Sequence, residues 1–156
     1  MGEPIRQTFA DGRRERMVAK AIEKAFPHYV LAQTPPFHPT DYHVSILNDK
    51  GGLDYVSDLE IKWFRHDSSR SAVFNFNKLQ VILSMPPRKS TVHKVCFRFD
   101  DGLLFVPADL LADEMPYWFT RNDTNERDLV VKVDKSELMK SNRACWLDIK
   151  VNERSF

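Results

Sequence analysis

Apolar and polar residues alternate in two runs of the chain, "DYHVSIL" and "DYVSDLEIKW", on either side of Asn48-Asp49-Lys50-Gly51-Gly52. A period of two predicts β-strands, and the Asn/Gly-rich segment between them predicts a hairpin. The first run sets Tyr42, Val44 and Ile46 on one side and Asp41, His43 and Ser45 on the other. The second sets Tyr55, Leu59, Ile61 and Trp63 on one side and Asp54, Asp58, Glu60 and Lys62 on the other. A turn centred between Lys50 and Gly51 places Tyr42 opposite Leu59, Ile46 opposite Tyr55 and His43 opposite Asp58. The apolar faces then coincide, as a sheet covered on one side requires.

The same register places Asp41 opposite Glu60. Directly opposed Cβ atoms lie about 4.5–5.5 Å apart, and two carboxylates at that distance repel unless a cation joins them.

Elsewhere the period changes. Val18, Ile22, Ala25 and Phe26 recur at helical spacing, which predicts a helix over about Phe9–Phe26, with Thr8 and Asp11 as a capping box and Pro27 as its stop. Stepping back along that stripe by threes and fours reaches Glu15, a carboxylate on or beside the buried face. Tyr29–Ala32 reads as a short strand before the proline-broken "QTPPFHP". "SAVFNFNKLQVILSM" begins extended and becomes a helix around Asn77–Ser84, ended by Pro86-Pro87. "VHKVCFRF" and "LLFVP" are strands about an Asp100-Asp101-Gly102 turn, "ADLLADEM" is a short helix, and "RDLVVKV" and "CWLDIKV" are late strands. Helices interleaved with strands predict an α/β chain with an N-terminal helix and then a mixed β-sheet flanked by helices. One domain is expected over 1–156, with a core at about 8–107 and additional strands and a helix over 108–156.

Composition narrows the classes little. Charged residues make up 29% of the chain, 23 basic against 22 acidic, for a formal charge of +1. Global charge therefore gives no argument for a nucleic-acid partner. Local clusters do better: Arg13, Arg14, Arg16, Lys20 and Lys24 in one segment, and Arg88, Lys89, His93 and Lys94 in another. No apolar run approaches the roughly 20 residues of a membrane-spanning helix. The charged first residues lack the apolar stretch of a signal peptide, and Cys96 and Cys145 form no CxxC, so free thiols and an intracellular setting are expected.

The opposed acids suggest chemistry. Hard divalent cations such as Mg²⁺ prefer oxygen ligands and are commonly held by one or two carboxylates with water and phosphate. Asp41 and Glu60 would supply these, and Lys62, two residues along the same face, could orient a water or offset phosphate charge. His38, Asp41 and His43 offer a second set, since two histidines and a carboxylate can hold Fe²⁺. A cross-strand pair between His43 and Asp58 accounts for His43 more simply.

With "DGRRERMVAKAI" supplying Glu15, "HPTDYHV" supplying Asp41 and "LEIKWF" supplying Glu60, Ile61 and Lys62, the sequence resembles the PD-(D/E)XK, or restriction endonuclease-like, nucleases. The likeness covers roughly 12–84. Thr40 precedes Asp41 where the family pattern has proline, and Asp58 stands as a substitute or helper for Asp41. The resemblance implies a restriction endonuclease-like core and a Mg²⁺-dependent DNA endonuclease in which Mn²⁺ can substitute. Its implied catalytic set is Glu15, Asp41, Glu60 and Lys62, with metal held by Asp41, Glu60 and the Ile61 carbonyl. Lys78 and Gln80, on the helix with Asn77, would flank the site, and Arg13, Arg14, Arg65, Arg70 and Arg88 would contact phosphates. The implied partner is double-stranded or branched DNA, cut by a homodimer or dimer-based oligomer that is either site-specific or a Holliday-junction resolvase. The alternative is a non-catalytic nucleic-acid-binding module on a nuclease-like fold.

Overall fold

The helical stripe forms α1 (Phe9–Ala25), whose Met17, Val18, Ala19 and Ile22 are buried. Pro27, without an N–H, follows the last turn, which closes through Phe26 N–H to the Ile22 carbonyl. A computed structural model describes residues 9–86 and 92–153, with side chains from residue 11 onward. Thr8, Pro87, Arg88 and Lys89 therefore lie outside the described residues.

After α1 the chain makes β1 (Tyr29–Gln33), β2 (Tyr42–Leu47), β3 (Leu53–Trp63), β4 (Ala72–Asn75), α2 (Phe76–Ser84), β5 (Lys94–Phe99), β6 (Gly102–Pro107) and α3 (Ala108–Leu111). It ends with β7 (Tyr117–Thr120), β8 (Arg127–Val133), α4 (Lys135–Leu138) and β9 (Cys145–Leu147). Six strands form one mixed sheet in the order β1-β2-β3-β5-β6-β9, in which β3 and β5 are parallel and the other neighbours antiparallel. This is the α/β architecture expected, an N-terminal helix followed by a mixed sheet with helices against it. A second, antiparallel sheet in the order β4-β8-β7 is an addition that strand alternation does not reveal.

Each face of the large sheet has its own core. Leu31, Tyr42, Leu59, Ile61, Cys96 and Leu103 pack with Val18 and Ile22 of α1. On the opposite face Val95, Phe97, Phe99, Leu104 and Val106 pack with Leu79 and Ile82 of α2, Phe74, Val131 and Val133 of the small sheet, and Leu111 and Leu138 of α3 and α4. Alternate residues of β5 thus enter different cores, as the pleat demands. Cys96 and Cys145 are both free thiols.

The hairpin keeps the predicted register near its open end and departs from it near the turn. Tyr42 pairs with Leu59, His43 with Asp58 and Val44 with Ser57. Beyond Val44 the register shifts: Ser45 pairs with Tyr55 and Ile46 with Asp54, so Ile46 does not face Tyr55. Val56 is the extra residue on β3, a β-bulge, and one extra residue turns every side chain beyond it to the other face. Tyr55 consequently joins the polar face and donates to Asp58 Oδ1 at 2.5 Å.

At the other side of the site, α2 is two-capped by its own sequence. The Asn75 side chain accepts from Lys78 N–H at 2.9 Å at its start, and Met85 N–H bonds the Ile82 carbonyl before Pro86. The helix begins one residue before the predicted Asn77. No helix among the described residues is long and apolar enough to cross a membrane.

Candidate active site

Asp41 stands immediately before β2 and is held there by two backbone bonds to β3. Its N–H donates to the Leu59 carbonyl at 3.1 Å, and Ile61 N–H donates to its Oδ2 at 2.7 Å. Glu60 lies between those two residues of β3. The Asp41 and Glu60 carboxyls lie close enough, as the register predicted, for each to shift the other's ionisation. In a strand the N–H and C=O of one residue point to the same edge, so the Ile61 carbonyl is directed to the side where Asp41 sits.

Electrostatically this pair is unsettled. Burial raises the Asp41 carboxyl above its ordinary range, against the Ile61 hydrogen bond that lowers it. Burial and then the Asp41 charge push Glu60 well above its usual value, and Lys78 pulls it back in part. Lys78 Nζ, brought over from α2, lies 3.4 Å from Glu60 Oε2. Glu60 Oε1 is buried with no hydrogen-bond partner among the described residues. A buried, unpartnered carboxylate oxygen facing a second carboxylate is what an oxygen-ligated cation would satisfy.

Lys62 follows Glu60 on the same face of β3, exposed, and its ammonium forms no ion pair among the described residues. Lys78 therefore neutralises Glu60 in this structure and Lys62 does not. Gln80, exposed, lies two residues and so roughly 200° around α2 from Lys78, and is not brought to the pair. Glu15 does come close: a cavity of about 340 Å³ is lined by Glu15, by the Thr34–His38 loop and by Thr40 and Asp41. Its charge, after burial itself, helps raise the Tyr42 phenol to about 12.

The predicted phosphate contacts divide. Arg13, Arg65 and Arg70 are exposed. Arg14 is engaged, with Glu153 and Asp11 as ion-pair partners. Arg88 lies outside the described residues.

One polar cluster was only partly legible. His43 Nδ1 lies 2.6 Å from Asp58 Oδ1, the predicted cross-strand pair. Around the same buried carboxylate the structure adds Tyr55, Thr40 Oγ1 at 3.1 Å from Oδ2, and His38 Nε2 at 3.8 Å. Burial opposes ionisation of Asp58, but the hydrogen bonds from Tyr55, His43 and Thr40 prevail and lower its value. Asp58 is thus committed to these partners, and Asp41, not Asp58, is the acid that meets Glu60. The available signal for Thr40 and His38 was the proline-rich loop that leads straight into β2; for Tyr55 there was none, because the bulge is invisible in the alternation.

No protein-family model matches the chain, and no curated protein matches it. Among solved structures it is similar to the 1.6 Å structure of Archaeoglobus fulgidus Hjc, a Holliday junction resolvase from an archaeal hyperthermophile, at 13% identity and a TM-score of 0.49, over 88% of this chain and 89% of that one.

Proposed function

We propose that the protein is a metal-dependent DNA endonuclease of the PD-(D/E)XK type. The observation that carries this reading is the half-satisfied acidic pair: Asp41 and Glu60 in contact, Glu60 Oε1 buried without a partner, and an exposed lysine on the same strand face. Two half-buried carboxylates side by side, one of them fixed by hydrogen bonds to the β3 backbone, are costly for a fold and useful to a hard cation. Mg²⁺ fits the all-oxygen donor set of Asp41, Glu60 and the Ile61 carbonyl, with Mn²⁺ able to substitute. When bound, such an ion supplies Lewis acidity to a phosphodiester and lowers the pKa of water beside it.

The remaining roles belong to this chain's side chains. Lys62, free to move, orients the attacking water and answers the charge that develops on the phosphate. Lys78 pairs with Glu60 Oε2 at 3.4 Å and would answer phosphate charge if a cation took that oxygen. Glu15 lines the same cavity as Asp41 and would hold water there. Arg13, Arg65 and Arg70 are exposed and fit phosphate contacts, which would make affinity fall steeply with salt. Duplex or branched DNA is the proposed partner, and cutting both strands calls for two copies related by symmetry. The resemblance to Hjc favours a junction over a specific sequence only as a starting substrate for the assay.

The test is cleavage of plasmid, linear duplex, single strand and four-way junction in Mg²⁺ and in EDTA, with Glu60→Gln and Lys62→Met beside the parent. The expected result is Mg²⁺-dependent cutting, lost by at least about 100-fold in both variants, a loss comparable with removing a preorganised transition-state contact. Salt-dependent binding of the same panel without cutting would replace the enzyme by a nucleic-acid-binding module.

A further inference from the structure

His38, His43 and Asp58 form a second constellation beside the acidic pair, and it has a different donor chemistry. One ligating atom from each lies within 4.8 Å of the others, drawn from the loop, from β2 and from β3. The two carboxylate oxygens are reached from different sides: His43 Nδ1 lies 2.6 Å from Asp58 Oδ1, and His38 Nε2 lies 3.8 Å from Asp58 Oδ2. Ligand atoms about 2.0–2.1 Å from one tetrahedral ion stand roughly 3.3 Å apart, between those two values. Small side-chain rotations therefore suffice. We propose that His38, His43 and Asp58 bind a first-row transition-metal dication of the Zn²⁺ class, at a site separate from Asp41 and Glu60.

The surroundings match what such a site needs. Imidazole nitrogen suits zinc-class ions and gives no advantage to Mg²⁺, so the two constellations select different metals. An ion on Nε2 fixes the His38 tautomer with a proton on Nδ1. That nitrogen lies 3.1 Å from Thr40 Oγ1, whose own hydroxyl donates to Asp58 Oδ2 at 3.1 Å. Thr40 then links a histidine ligand to the carboxylate ligand, replacing the 3.2 Å bond that its N–H makes to Nδ1. Tyr55 fixes the Asp58 carboxylate from the other side. Asp58 is buried while both imidazoles keep one part exposed, so an ion has a path in from solvent. The consequence of binding is mechanical: the ion would pin the Thr34–Thr40 loop, one wall of the Asp41 cavity, onto β3.

This inference does not depend on the nuclease reading. The experiment is titration of the full chain with Zn²⁺ against a chromophoric chelator, with the visible spectrum of the Co²⁺ form as the second readout. His38→Ala, His43→Ala and Thr40→Val are compared with an Asp41→Asn/Glu60→Gln double variant, all checked for native circular dichroism. The expected result is one tight site per chain that excess Mg²⁺ does not displace. The double variant retains it, Thr40→Val weakens it about 10–100-fold, and either histidine variant weakens it more. The Co²⁺ spectrum should likewise change in the histidine variants alone. Absence of saturable binding by the folded parent would overturn the proposal, as would binding that follows Asp41 and Glu60 and ignores both histidines.

Discussion

Replacing Glu60 by glutamine should stabilise the protein in EDTA and destabilise it, relative to the parent, in Mg²⁺. Glu60 is 12% exposed at its side chain, and its Oε1 has no partner among the described residues. A buried acceptor left in that state costs about 1–3 kcal/mol, and more when charged. Glutamine keeps the shape, removes the charge and turns a repelled oxygen into an amide that donates to Asp41. The Lys78 ion pair at 3.4 Å is lost, but Lys78 is 38% exposed and is re-solvated at small cost. The net gain expected is about 1–2 kcal/mol, or about 2–4 °C in Tm per kcal/mol at this chain length.

The pH dependence has a definite sign. Glu60 is raised in the folded state, so that state holds the proton more tightly than the unfolded one. The parent therefore loses stability as pH rises above the ordinary value of 4.5 and through the raised value. The advantage of Glu60→Gln should be greatest at the alkaline end and vanish as pH falls toward 4.5. Adding Mg²⁺ acts on the parent alone, contributing about 2.7 kcal/mol at 100 times its Kd, enough to invert the ranking. Urea unfolding followed by tryptophan fluorescence, with the slope m checked for constancy, measures all of this. A variant no more stable than the parent in EDTA at any point between about pH 5 and 9 would refute the claim that the pair is strained.

Two further predictions concern the frame that holds the site. Arg98, 3% exposed, donates to the Val151 and Phe64 carbonyls at 2.7 Å and to Asn152 and Asp100 at 2.9 Å, and its guanidinium lies 3.9 Å from the Trp63 ring centre. Arg98→Met keeps the stem but leaves buried carbonyls without donors, and should cost about 3 kcal/mol in urea unfolding. A Cβ on Gly102 would meet the Trp146 ring and come 2.7 Å from the Leu147 carbonyl oxygen, which is backbone and cannot swing away. Gly102→Ala should therefore cost about 1–3 kcal/mol, read as a lowered Tm.

How much of this the sequence announced depended on whether a feature has a period. The alternation over Tyr42–Val44 and Ser57–Leu59 is regular, and from it came the Asp41–Glu60 contact and the His43–Asp58 pair. A bulge has no period, so the placement of Tyr55 was missed. Helical spacing located α2 but could not say which of Lys78 and Gln80 turns toward β3, because that depends on the helix's rotation against the core. Strand alternation likewise gives faces and not neighbours. β4 and β8 therefore read as strands without revealing that they leave the main sheet to form another with β7. Arg98 occupies a position in "KVCFRF" where the pattern calls for an apolar residue; its partners, two of them more than 50 residues away, could not be inferred locally.

The bulge at Val56 also divides the hairpin mechanically. On one side, the pairs from Tyr42–Leu59 to Val44–Ser57 set the distance between the two acids; on the other, Ser45–Tyr55 to Leu47–Leu53 carry an exposed tip closed by Gly51 at φ 79°. A strand that slips must carry its whole ladder with it, and a ladder already interrupted does not transmit the slip. The irregularity works like an expansion joint. The tip can lengthen, shorten or accept a grafted loop over evolutionary or laboratory time while Asp41 and Glu60 keep their register, so the part of the hairpin that meets the outside is free to diversify independently of the part that holds the charge.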